Sequence, residues 1–262
     1  MISLALCGAG LPALACGPDT DCALGDRSYR IHMPAGHDGA TPLGALVFAH
    51  GYKGSAAGTM RNRSLRDMAD RLGIALVAAN ADGDDWLLPN APSGRVDSPD
   101  AALAYFDALR DDILARYPID PDRIVMGGFS AGGMVTWTIA CNRPGDYAGF
   151  IPVAGTFWAP APESCDTPVA QIVHIHGTSD RIVPLAGRPI GPAHQGDVDT
   201  VLAMYRRTGG HEPAPAPSLG DGLDCQAWTA ATGARLVECL HPGGHSFRTG
   251  WIAAAWNLIF AP

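Results

Sequence analysis

From residue 44 onward, short runs that are apolar throughout alternate with segments whose apolar positions recur at helical spacing. Residues 44–50 (GALVFAH), 74–79 (IALVAA), 123–127 (RIVMG), 150–153 (FIPV) and 171–176 (QIVHIH) are of the first kind and predict strands buried on both faces. Helices are predicted over 64–72, 131–141, 198–206 and 251–260, and a longer one starts at Ser98-Pro99. Ser98 fits an N-cap and Pro99 the first helical position. Leu103, Phe106, Ile113 and Tyr117 then share one face, with Asp107, Arg110, Asp111 and Arg116 off it. Such alternation predicts an α/β protein with a mainly parallel sheet covered by helices on both faces. Two later runs, 226–231 and 234–240, flank Thr232-Gly233 and predict a hairpin. Residues 212–218 (EPAPAPS) have the composition of a linker. The hairpin lies beyond them, so the chain is expected to return to the same domain, and 16–262 is expected to be one domain.

The first stretch, 2–15, is almost wholly apolar and ends in Ala13-Leu14-Ala15, the hydrophobic segment and small-residue cleavage site of a signal peptide, although it lacks Lys and Arg. A buried first strand is the alternative. Cleavage after Ala15 removes Cys7 and leaves six cysteines, an even number. A hairpin turning at 232–233 places Cys225 opposite Cys239. Pairing Cys16 with Cys22 pins the mature N-terminus and leaves Cys141 for Cys165. Three disulfides imply an oxidising compartment, so the protein is expected to be secreted or periplasmic.

The net charge of −8 lacks the basic footprint that nucleic-acid binding needs, and it disfavours an electrostatic grip on anionic membranes. No apolar run reaches the roughly 18 residues of a transmembrane helix. A monomer is expected.

Gly128-Phe129-Ser130-Ala131-Gly132 is a GxSxG pentapeptide. Composition alone supplies about 0.16 such matches by chance, so the motif needs its context. A predicted strand runs into it and a predicted helix runs out, which is the strand–turn–helix arrangement of a nucleophile elbow. The turn would lift the Ser130 hydroxyl above the sheet, and glycines at 128 and 132 would let strand and helix approach. A serine nucleophile needs a base and an orienter for that base. His245, in a glycine-rich loop before the last helix, is the base candidate, with His241 its nearest rival. His50, His174 and His176 belong to predicted strands, and His32, His37, His194 and His211 read as surface residues. Asp180, just past the strand at 171–176, is the acid candidate; Asp82, Asp84 and Asp85 form a rival cluster. For the oxyanion the N–H of Ala131 and of Tyr52, in the loop His50-Gly51-Tyr52-Lys53-Gly54-Ser55, are the expected donors.

With CGPDTDC, GDRSYRIHMP, AHGYKGS, NADGDDW, GFSAGGM, HIHGTSDRIVP and HPGGHSF in this order, the chain resembles the polyhydroxybutyrate depolymerase and feruloyl esterase-like family of secreted α/β-hydrolases from about Cys16 to its end. The resemblance implies an α/β-hydrolase fold and carboxylic-ester hydrolysis through an acyl-enzyme, with Ser130, Asp180 and His245 as the triad. The chain order Ser, Asp, His agrees with that fold. It also implies Trp86 as a lining of the site; a core aromatic is the other reading. The connection 155–168 is short and proline-bearing, so no lid domain is expected there, and Phe157 and Trp158 would form an apolar rim of an open cleft. The expected partner is an ester, hydroxyalkanoate, feruloyl or acetyl, possibly polymeric. No metal or organic cofactor is required. A serine peptidase on the same fold and a non-catalytic binding module are the competing readings.

Overall fold

A computed structural model of the chain describes residues 16–261, so the signal-peptide reading of 1–15 lies outside the described residues. In chain order the elements begin with β1 (Cys22–Leu24), β2 (Arg27–His32), β3 (Leu43–Ala49), α1 (Ala56–Arg61), α2 (Arg63–Leu72), β4 (Ala75–Ala79) and α3 (Asp100–Arg116). The middle of the chain forms β5 (Ile119–Phe129), α4 (Ala131–Asn142), β6 (Gly149–Val153) and β7 (Ile172–Gly177). A small hairpin, β8 (Pro189–Ile190) and β9 (Ala193–His194), precedes α5 (Val198–Gly209). The chain closes with β10 (Glu212–Ala214), β11 (Asp224–Thr229), β12 (Arg235–His241) and α6 (Thr249–Ile259).

Ten strands form one sheet in the order β1-β2-β4-β3-β5-β6-β7-β12-β11-β10. The central strands β4, β3, β5, β6, β7 and β12 pair in parallel, and the pairings outside them are antiparallel. Their continuous apolar runs are explained by cover on both faces. Ala45 and Val47 of β3 point into a cluster with Phe106 of α3 and Trp137 of α4, while Leu46 and Phe48 point the other way, towards Met68 of α2 and Trp256 of α6. This is the α/β-hydrolase architecture, and it brings the carboxyl ends of β3, β4, β5, β7 and β12 to one edge of the sheet.

Local chemistry sets several boundaries. Asn62 caps α2 by accepting from Leu65 N–H, and the helix ends at Gly73, whose φ of 63° is left-handed. Asp197 caps α5 through Thr200 N–H at 2.7 Å. The expected start of α3 is corrected by one residue: the helix starts at Asp100 with Pro99 at its cap position, while Ser98 Oγ accepts the Asp100 N–H at 3.4 Å and donates to the Asp100 carboxylate at 2.8 Å. The proline-rich segment 212–218 is no linker; its first three residues add β10 to the edge of the sheet, where proline costs no ladder bond. His211, expected at the surface, is 8% exposed and packs on Tyr205, because β10 carries it against α5.

Disulfides join Cys16 to Cys22, Cys141 to Cys165 and Cys225 to Cys239. Cys225 and Cys239 are direct partners in the β11–β12 register. Cys141, near the end of α4, ties down the 155–168 connection through Cys165. No described helix is long and apolar enough to cross a membrane.

Candidate active site

Ser130 stands between β5 and α4 with φ 60° and ψ −121°, a conformation that L-residues reach only under strain. Its N–H donates to the carbonyl of Val153 on β6, which fixes the turn over the sheet edge. The flanking glycines are obligatory. A Cβ on Gly132 would stand 1.9 Å from the Ala49 carbonyl oxygen of β3, and one on Gly128 would stand 2.2 Å from the Gly132 carbonyl oxygen. Strand and helix therefore approach closely enough to hold the serine at the apex.

Asp180 lies in the turn after β7. One carboxylate oxygen accepts the N–H groups of Ile182 and Val183 at 2.8 and 2.9 Å, and the other accepts His245 Nδ1–H at 2.7 Å. Burial pushes this carboxyl up, but the hydrogen bonds from His245, Val183 and Ile182 outweigh it and hold it below the usual aspartate value. The loops bearing acid and histidine are laced together by Thr178 N–H to His241 carbonyl (2.9 Å) and Ser179 N–H to Gly243 carbonyl (3.1 Å). Behind them His176 Nε2–H donates to the Val183 carbonyl at 2.7 Å, which bends the acid loop back over β7.

The imidazole of His245 packs on Phe129, the residue before Ser130, with ring centroids 4.6 Å apart. Among the described residues Ser130 Oγ makes no hydrogen bond to His245; the structure joins Asp180 to His245 and sets the imidazole beside the Ser130 turn. The rivals are occupied elsewhere. His241 is buried, stacks on Trp251 and accepts Gly243 N–H, and Asp82 pairs with Arg95 at 2.7 Å. Asp85 accepts Trp86 N–H, and Asp84 offers its backbone carbonyl to Lys53 N–H. None of the three aspartates bonds His245.

Ser130 opens into a cleft of about 560 Å³ whose wall includes Tyr52, Ala131, Met134, Trp158, Ile182 and Gln195. Neither Tyr52 N–H nor Ala131 N–H donates to an acceptor among the described residues. Both belong to segments that meet at the elbow, since an added Cβ on Gly51 would lie 3.4 Å from Ser130 Cβ. Tyr52 and Ile182, 60% and 50% exposed, are the two exposed large apolar side chains of the described residues, and both stand on this cleft. Trp158 lines it from the 155–168 connection. The reading of Trp86 as a lining residue is corrected: it is 2% exposed, and its indole N–H donates to the His50 carbonyl at 2.9 Å, so it supports the loop of Tyr52 from beneath. The β8–β9 segment, which the sequence analysis did not single out, adds Arg188, Ile190 and Gln195 to the wall. The signal was faint, two glycines and two prolines around 187–192. Among the described residues no group of three or more His, Cys, Asp or Glu is arranged to hold a metal.

The phospholipase/carboxylesterase family matches residues 87–190. The chain is similar to the putative esterase NocK of Nocardia uniformis subsp. tsuyamanensis, 31% identical over 250 residues that span 86% of this chain and 71% of that protein. Feruloyl esterase C of Emericella nidulans is 24% identical over 169 residues, 62% of this chain and 57% of that protein. In fold the chain is similar to an acetyl xylan esterase from Aspergillus awamori, with a TM-score of 0.64, 11% identity, and coverage of 95% of this chain and 98% of that one. A phospholipase/carboxylesterase from Dyadobacter fermentans gives a TM-score of 0.60 at 18% identity, covering 90% and 97%.

Proposed function

We propose that the chain, which belongs to the same α/β-hydrolase family as the putative esterase NocK and matches the phospholipase/carboxylesterase family over residues 87–190, hydrolyses carboxylic esters through an acyl-enzyme on Ser130. The observation that carries this reading is the 2.7 Å bond between Asp180 and His245, with the imidazole packed beside the strained Ser130 elbow. In this reading His245 Nε2 takes the Ser130 proton as Oγ attacks the ester carbonyl. Asp180 holds Nδ1–H, fixing the tautomer and stabilising the cation that forms. The hydroxyl and imidazole close to hydrogen-bonding distance in the substrate complex, as catalytic hydrogen bonds long in the free enzyme do. Tyr52 N–H and Ala131 N–H receive the oxyanion. His245 then protonates the leaving alcohol, and water, with the same base, releases the acid.

The apolar rim of Tyr52, Ile182 and Trp158 favours an ester on a bulky or polymeric carrier, of the hydroxyalkanoate, feruloyl or acetyl type. The three disulfides favour action outside the cytoplasm, where such bonds persist. A fluorophosphonate probe tests the reading: peptide mapping is expected to find one adduct, on Ser130. An unlabelled protein, or label on another residue, contradicts it. Purified protein assayed on the three ester types then ranks the substrates.

A further inference from the structure

Gln195, just after β9, is a buried side chain that the fold leaves unused. It is 4% exposed, and its Oε1 is sealed from solvent with no hydrogen-bond partner. Its backbone, by contrast, is fixed on every side. Gln195 N–H donates to the Arg188 carbonyl at 2.9 Å, its carbonyl accepts His194 Nδ1–H at 2.7 Å, and the next N–H, of Gly196, donates to the Phe157 carbonyl at 2.8 Å. Gly187 passes so close that a Cβ there would meet the Gln195 carbonyl oxygen at 2.1 Å. A carboxamide oxygen left unpaired on a backbone this firmly held is costly in a folded interior, where nearly all such groups find partners. It lines the cleft of Ser130, among Met134, Trp158 and Ile190.

We propose that Gln195 is a specificity-determining residue whose carboxamide hydrogen-bonds a hydroxyl on the acyl group of the ester. The inference rests on the serine-esterase reading above. In that reading the leaving alcohol lies towards His245, which protonates it. The cleft is walled by Ser130, Ala131 and Tyr52 and not by His245, so it takes the acyl side. Rotation of the terminal amide offers a hydroxyl either an acceptor or a donor. A carboxylate on the acyl group fits less well: Asp82, Asp84 and Asp85 share this cleft with two arginines, of which Arg95 is already paired with Asp82. The class is therefore an ester of a neutral hydroxy acid, aliphatic or aromatic.

Two matched pairs separate those sources: 4-nitrophenyl 3-hydroxybutanoate against 4-nitrophenyl butanoate, and methyl ferulate against methyl 3,4-dimethoxycinnamate. Wild-type enzyme is expected to favour the hydroxylated member of one pair in kcat/KM by about tenfold, the scale of one neutral hydrogen bond. In Gln195→Leu that ratio falls to about one, and Gln195→Ala gives the same reading should the leucine variant not fold. A wild-type ratio near one in both pairs, or variants that slow both members equally, overturns the assignment. Failure of wild-type enzyme to turn over any of the four esters contradicts the esterase reading itself, and this one with it.

Discussion

Asp180 and His245 are 65 residues apart in sequence, yet their side chains meet at 2.7 Å. Parallel pairing of β7 with β12 produces the meeting: His176 stands beside Leu240 and Gly177 beside His241 in register, so the loops leaving the two strands emerge side by side. The carboxylate is already saturated on its other oxygen by Ile182 and Val183 N–H. It is thus positioned before any substrate arrives.

Asp180→Asn keeps the shape but lets the amide select the wrong imidazole tautomer. The expected outcome is a fall in kcat of about 10⁴-fold with little change in thermal stability, by analogy with serine triads. Steady-state kinetics on an aryl ester checks it. A loss below about tenfold would move the orienting acid elsewhere.

The histidines behind the site set an acid limit on stability. His176 Nε2–H donates to Val183, leaving Nδ1 to accept from His174 Nε2–H at 3.1 Å, an arrangement that needs the His176 ring neutral. Burial lowers both, His174 well below the ordinary value of about 6.5. As pH falls below 6.5 the unfolded chain takes up protons that the folded chain refuses. Stability is therefore full above that pH and declines below it, by about 1.4 kcal/mol per pH unit for each such histidine. Asp180, lowered in the fold, adds its own loss only as pH falls below the ordinary aspartate range. Urea unfolding between pH 7 and 5 is expected to show this decline, and His174→Gln to make it shallower by about one proton. An unchanged slope would contradict the assignment.

The disulfide across β11 and β12 closes a loop of 14 residues' separation. On the chain-entropy model it stabilises the fold by about 3 kcal/mol. Replacing Cys225 and Cys239 by alanine is expected to lower the unfolding free energy by about that amount. A loss under about 1 kcal/mol would mean that the hairpin is already restrained in the unfolded chain.

Much of this architecture was legible from period and punctuation. The central strands are apolar on both faces, so their runs stand out, and the register of Cys225 with Cys239 follows from the Thr232-Gly233 turn. Gly128 and Gly132 betrayed the close approach at Ser130 because nothing larger fits. What escaped was decided by tertiary context. The three-residue edge strands β1 and β10 are too short to show alternation of their own and take their form from the strands they pair with. The burial of Trp86 follows from its bond to the His50 carbonyl, between residues 36 positions apart. Gln195 carries no motif at all; only the packing around its unpaired amide marks it.

The central claim is that Ser130 is the nucleophile. Its most direct test is the turnover of 4-nitrophenyl butanoate by Ser130→Ala, with circular dichroism confirming the fold. A loss of at least about 10³-fold in kcat is expected, leaving only the weak residue of catalysis that oxyanion donors and binding supply. Turnover within tenfold of wild type in a folded variant would contradict it.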